Sequence, residues 1–183
     1  YLAWAQANPG KANFGTPGNN STQDFLMRSA GADRAGHLTH APYRGSAPGV
    51  QDLLGGQISA FFSPVGDGLP HQASGRMRAL GTSGDKRSRF TPQVPTFAEQ
   101  GLPKLTLTEY YGVWMSSAVP EPVRARAAHE VGAFVARPEN VEAFAKFGIE
   151  PAPLSLPAFA AAMRSSHQAW GERLASIGYR PQE

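Results

Sequence analysis

Apolar positions along this chain come in short runs broken by glycine and proline, and their spacing changes character after residue 115. Up to that point, strand-like runs alternate with helical ones. A helix over residues 2–7 is closed by Asn8-Pro9-Gly10. A strand over 12–15 runs into Gly15-Thr16-Pro17-Gly18-Asn19-Asn20, and a helix follows over 21–30, stopped at Gly31. A second strand, 38–41, feeds Pro42-Tyr43-Arg44-Gly45-Ser46. The helix after it turns Val50, Leu53 and Leu54 inward and closes at Gly55-Gly56. A third strand over 58–62, a helix over 67–74 and a strand over 77–82 continue the series. Residues 84–93 read as a polar, basic loop, 95–100 as a short helix stopped by Gly101, and 105–110 and 111–115 as extended segments rich in Thr, Tyr and Leu.

Beyond residue 115 the pattern is helical. Pro120-Glu121-Pro122 opens a helix to about residue 136 with Val123, Ala127, Val131 and Phe134 on one stripe. Pro138 opens another, closed by Gly148, and Ser155 caps a long last helix. Its apolar positions Leu156, Phe159, Met163, Trp170, Leu174 and Ile177 keep a spacing of three or four. Strand–helix alternation argues for βα units on a largely parallel sheet, so the class is α/β.

Composition sharpens this picture. The 183 residues include 20 glycines and 16 prolines, about a fifth of the chain against an average of roughly 12 %. Charged residues are only 17 %, while 41 % hydrophobic residues suffice for a core. The glycines and prolines show no collagen-like period and the chain no solenoid repeat. No run reaches the ~18 consecutive apolar residues of a membrane-spanning helix. The net charge is +3. Its densest basic stretch, Arg76, Arg78, Lys86, Arg87 and Arg89, is diluted by Asp85 and has Phe90 as its only nearby aromatic, so it reads as a solvated face and no nucleic-acid partner is expected. Zero cysteines exclude disulfides, thiolate metal sites and cysteine catalysis, and suit an oxidising compartment. A start at Tyr1, with neither Met nor a signal-peptide pattern, is expected of a processed, trimmed or partial chain.

The chemistry concentrates in two strand–loop–helix turns. At the first, Gly15 and Gly18 let a ligand approach the backbone, and Ser21-Thr22 open a helix whose free N–H groups and positive dipole end favour an anion. The second repeats the design: Ser46 stands in capping position, Tyr43 supplies an apolar wall with a polar tip, and Arg44 is a partner for a carboxylate. Each alone is also an ordinary capped turn. Emerging from adjacent strands, the two loops would share the carboxyl edge of the sheet, where ligands of open α/β sheets settle. Catalytic signatures are missing: no G-x-S-x-G, no P-loop and no G-x-G-x-x-G. His37 and His40 face opposite sides of a strand, and His71, His129 and His167 are isolated, so neither a metal site nor a cofactor is expected. Asp24, Asp52 and Asp67 have no local partner set for catalysis, and the Asn19-Asn20-Ser21 sequon is of chance frequency.

Three blocks, Gly18-Asn19-Asn20-Ser21-Thr22, the run from His40 to Pro48, and Asp52-Leu53-Leu54-Gly55-Gly56-Gln57, resemble the Bug family, the substrate-binding receptors of tripartite tricarboxylate transporters. Leu69-Pro70-His71, the runs Gly75 to Leu80 and Val94 to Pro103, and Tyr111-Gly112-Val113-Trp114 extend the resemblance over nearly the whole chain. It implies a non-enzymatic, exported periplasmic protein with a type II periplasmic-binding-protein-like fold of two lobes on mixed sheets. The lobes would close on a small carboxylated solute and deliver it to membrane permease subunits. Carried over, the binding residues are Gly18, Asn19, Asn20, Ser21 and Thr22 in one loop and Tyr43, Arg44, Gly45, Ser46 and Ala47 in the other. Asn20 stands where the family commonly has Gly, Asp24 where it has His, and Ser63 where it has Asp or Gly. A carboxylate at position 24 would repel an anionic solute if it faced the cleft, which leaves room for an amide, amino or aromatic solute. The resemblance also implies that residues 1–111 form a complete second lobe and 112–183 the returning helical part of a first lobe whose opening strands have no counterpart here. An orphaned apolar face and self-association are then expected. Two other readings stay open: a hydrolase using Ser21 or Ser46 with His40 or His71, and a ligand-free interaction or sensor domain on the same fold.

Overall fold

The computed structural model describes residues 1–34 and 38–179. Its first part is the expected alternation: α1 (Leu2–Ala7), β1 (Asn13–Thr16), α2 (Thr22–Arg34), β2 (Thr39–Pro42), α3 (Ser46–Leu54), β3 (Ala60–Phe61) and α4 (Val65–Ala73). The three strands form one sheet in the order β2-β1-β3, parallel throughout, with Asn13 opposite Thr39, Thr16 opposite Pro42, and Gly15 opposite Phe61. The antiparallel member of a mixed sheet is not among the described strands. Asn13 locks the outer register: its Oδ1 accepts the Ser59 N–H at 2.6 Å, and its carbonyl accepts the Ser59 hydroxyl at 2.6 Å.

The connections run from β1 outward to β2, then back across β1 to β3. Right-handed crossovers therefore place α2 and α3 on opposite faces of the sheet. The contacts agree, since α3 touches β1, β3 and α4 while α2 touches the later 3-10 turn and the last helix. Consecutive side chains at the end of β3 and just after it split between the two faces. On the α2 face, Phe62 meets Phe97 edge to face at 5.7 Å beside the buried pair Leu26 and Leu105. On the α3 face, Phe61 lies over two glycines. A Cβ on Gly15 would stand 2.7 Å from its ring, and one on Gly49 would stand 2.2 Å away.

Three expectations differ. Helix α2 passes through Gly31 as far as Arg34, because a glycine inside a helix costs only about 1 kcal/mol and does not stop it. Residues 77–82 form no strand; Thr82 makes one bridge to Thr96. The expected helix over 95–100 is a single turn closed at both ends. Thr96 and Glu99 cap each other's N–H groups at 2.6 and 3.1 Å, and Gly101, at φ 79°, lets the Leu102 N–H return to the Phe97 carbonyl at 2.9 Å. Residues 105–115 are extended but unladdered after a 3-10 turn at Pro103–Leu105.

The tail holds α5 (Glu121–Val135), α6 (Pro138–Ala145) and α7 (Leu156–Ser176), with Ser155 accepting the Ala158 N–H. The C-terminal half of α7 docks on the first part of the chain. Trp170 and Tyr179 flank Phe25 of α2 at 6.1 and 4.8 Å, and Arg173 donates to the carbonyls of Lys104 and Thr106. Much of the tail's apolar surface is open. Tyr111, Trp114 and Phe147 are about two-thirds exposed, and Val123, Val131 and Phe134 of the α5 stripe lie open.

Two outcomes follow from this packing. Gly49→Val is expected to lower stability by about 1–3 kcal/mol through overpacking against Phe61, read as the urea midpoint; an unchanged midpoint contradicts the close approach. The open apolar face is expected to make the isolated chain sediment above its 19.5 kDa mass at rising concentration. A monomer throughout, with no binding of an apolar-patch dye, contradicts that.

Candidate functional site

Parallel pairing brings the carboxyl ends of all three strands to one edge. From β1 and β2 the two glycine-containing loops emerge side by side and are stitched together: Tyr43 N–H donates to Thr16 O at 2.9 Å and Gly45 N–H to Pro17 O at 2.8 Å. Gly18, Asn19, Asn20, Ser21 and Thr22 thus share one rim with Tyr43, Arg44, Gly45, Ser46 and Ala47. Asn19, Asn20, Arg44, Gly45 and Ala47 are exposed and the others half-buried.

The first loop is held from beneath by Asp24. This side chain is fully buried and turns inward. Its Oδ2 accepts the Asn20 N–H at 2.9 Å, and its two oxygens take a bidentate pair of 2.8 Å bonds from Arg28, one turn along α2. Ser21 completes the cap by accepting the Asp24 N–H at 3.2 Å. Asn20 sits at φ 56°, a left-handed conformation that Asn tolerates better than other side chains, which explains how it stands in for glycine. Bonding to Asp24 raises the Arg28 pKa above its usual value.

His40, on β2, closes the network. Its Nε2 lies 2.8 Å from Thr16 Oγ1, whose hydroxyl donates to the Gly18 carbonyl at 2.9 Å, so the imidazole is the donor of that pair. The ring stacks on Phe14 at 4.9 Å, and Nδ1 faces Asp24 at 3.5 Å. Burial pushes the His40 pKa below its usual value, outweighing the pull of an Asp24 whose charge Arg28 already neutralises.

The second loop is built differently. Gly45, at φ 95°, is the N-cap of α3, and among the described residues no side chain caps that helix. The amides of its first turn face the edge without a resident acceptor from a capping side chain, and exposed Arg44 stands beside them. Tyr43 does not form the anticipated free-standing wall. Its hydroxyl donates to Asp52 Oδ2 at 2.8 Å and its ring meets Phe61 edge to face at 6.0 Å, so it braces α3. Burial first, then the bond to Asp52, pushes its phenol up to about 12.

Sequence reasoning missed two neighbours of this edge. Gln23, buried in the first turn of α2, donates to Glu109 at 3.0 Å, carrying a carboxylate from far along the chain to the first loop. At the third strand end, the first turn of α4 touches the end of α6. A Cβ on Gly66 would stand 2.1 Å from the Phe147 carbonyl oxygen, and one on Gly148 would stand 2.6 Å from Val65. That pair of glycines was the one signal in the sequence, and their partnership is a tertiary fact.

Ser21 and Ser46 make no hydrogen bond to His40 or His71 among the described residues. The carboxylate–imidazole–hydroxyl array that does form, Asp24–His40–Thr16, ends on a hydroxyl with no exposure, already donated to a carbonyl. His37 lies outside the described residues. Among the described residues no cluster of three or more His, Asp or Glu suits a metal ion, and no helix is long and apolar enough to cross a membrane.

A model of the tripartite tricarboxylate transporter family receptor matches residues 1–177. A UPF0065 protein from the tcbD-tcbE intergenic region of Pseudomonas sp. strain P51 is 32 % identical over 92 % of this chain and 51 % of its own length. Among solved structures, a periplasmic transporter is 26 % identical with a TM-score of 0.84, over 96 % of this chain and 58 % of that one. The R. palustris protein Rpa4515, solved with adipate, superposes with a TM-score of 0.83 at 21 % identity, over 99 % of this chain and 60 % of its own. The chain therefore spans about half the length of the curated relatives it matches and about 60 % of the structures. The fold is the α/β periplasmic-binding-protein fold, present in part.

The low pKa of His40 has a consequence for stability. Its ring takes up a proton at lower pH in the fold than in the unfolded chain, so the unfolded state binds more protons as pH falls and stability falls with it. Between about pH 7 and 5, the native chain is expected to lose stability relative to His40→Gln in urea titrations. Parallel curves for the two proteins contradict this.

Proposed function

Because this chain belongs to the tripartite tricarboxylate transporter receptor family, a family of binding proteins and not of enzymes, we propose that it captures a small carboxylated solute at the carboxyl edge of its sheet. The observation that carries the reading is the amino end of α3, uncapped by any side chain among the described residues and stitched through Gly45 to the loop from β1. Helix-end amides stabilise an anion by dipole and hydrogen bonds without a dedicated lysine, which accords with a chain of only 17 % charged residues. The solute carboxylate sits over Ser46 and Ala47 with Arg44 beside it. Gly18, Asn19, Asn20, Ser21 and Thr22 receive the rest of the molecule, and Tyr43 braces the seat from behind. The relative solved with adipate supports a small carboxylate as the class.

On this reading residues 1–111 are one complete lobe and 112–183 belong to a second, whose closure on the solute is a hinge motion. The open face formed by Tyr111, Trp114 and the α5 stripe supports a lobe completed by further chain. The protein works in the periplasm as an exported receptor and hands its solute to the permease subunits of a tripartite transporter. No cofactor enters.

A solute at a hundred times its dissociation constant adds about 2.7 kcal/mol, so a thermal-shift panel of mono-, di- and aromatic carboxylates is expected to raise the melting temperature for at least one compound. Ser46→Pro removes one amide from the seat at a helix position where proline is tolerated. It is expected to keep the melting temperature of the free chain and weaken that compound at least tenfold. A flat panel, or full affinity in the proline variant, contradicts the proposal.

A further inference from the structure

Resting on the proposed solute edge, we propose that Asp24 is a specificity-determining residue: a resident carboxylate that makes the edge select solutes with one carboxylate and a neutral polar group at the other end. The two loops differ in what they offer. At the loop from β1, the groups that would answer a second solute carboxylate are engaged by the chain's own. Asp24 takes the Asn20 N–H at 2.9 Å and both donors that Arg28 presents at 2.8 Å, and Ser21 takes the Asp24 N–H at 3.2 Å. The His40 ring is committed to Thr16. A second acid, Glu109, reaches the same helix turn through Gln23 at 3.0 Å.

The charges near this loop are thus Asp24 and Glu109 against Arg28, with His40 between Asp24 and Thr16, and the balance is one negative. Across the rim Arg44 is exposed and bears the opposite sign. A dianion laid along the rim gains at one end, and at the other it meets the exposed Glu109 carboxylate and donors that Asp24 already holds. A solute whose far end is an amide or hydroxyl is not repelled, and it meets the exposed amides of Asn19 and Asn20 and the half-buried hydroxyls of Ser21 and Thr22. A neutral amide also supplies N–H groups to Glu109, which a carboxylate lacks.

Calorimetric titration of the chain with diacids from malonate to adipate, each against its own monoamide, tests the inference. The monoamide, succinamate for succinate, is expected to bind at least tenfold more tightly at the length that binds best. Asp24→Asn releases Arg28 and the donors that Asp24 holds, and Glu109→Gln, at an exposed position, removes the exposed acid. Each is expected to shrink the preference at least threefold. Should Asp24→Asn fail to fold, the native ratio and Glu109→Gln still decide. A native chain that binds the diacid as tightly as its monoamide, or simple monocarboxylates with no gain from the amide, overturns the inference and leaves the receptor reading standing. Silence toward every carboxylate overturns both.

Discussion

Parallel pairing of three short strands is the constraint on which the rest depends. With β1 in the middle and its neighbours running the same way, all three chain ends leave the sheet at one edge, and the crossovers place α2 and α3 on opposite faces. The loops over the edge cannot avoid each other, and the bond from Gly45 to Pro17 fixes their separation. The small residues of the sheet serve the same end. Gly15 and Gly49 admit Phe61 between β1 and α3, which draws the amino end of α3 down onto the edge.

The two loops reached that edge by different physical routes. The loop from β1 is shaped by charge: a buried carboxylate held by a guanidinium and a backbone amide, with an imidazole closing the side. Breaking a buried pair by removing one partner typically costs about 3–5 kcal/mol, here reduced because Arg28 is 43 % exposed. The loop from β2 is shaped by backbone, with a glycine at φ 95° and a tyrosine tied back to its own helix. One is filled by its own acid, the other open. A binding edge of this kind needs few formal charges, because the chain supplies dipoles.

Much of this was legible in the residues. Strand–loop–helix alternation placed the first two loops, and the blocks around residues 18–22 and 40–48 carried the family. What stayed hidden was tertiary. Asp24 reads as an intruding charge until Arg28, one turn later on the same face, is seen to neutralise it; the spacing of four was available and unused. Tyr43 reads as a ligand wall because its partner Asp52 lies nine residues away across a helix turn. Residues 77–82 have strand-like composition but find no ladder among the described residues beyond one bridge from Thr82, so propensity alone misassigned them. Glu109 reaches the site only through a fold in which residue 109 returns to residue 23.

The central claim is that a solute carboxylate rests on the first amides of α3, beside a loop already filled by its own acid. Backbone amide chemical shifts followed during titration with a carboxylate test it most directly. The account expects the largest, saturable changes at Gly45, Ser46 and Ala47, smaller ones from Asn19 to Thr22, and none along Val123, Val131 and Phe134. Changes confined to the tail, with the amides of residues 45–47 unmoved at saturation, would contradict it.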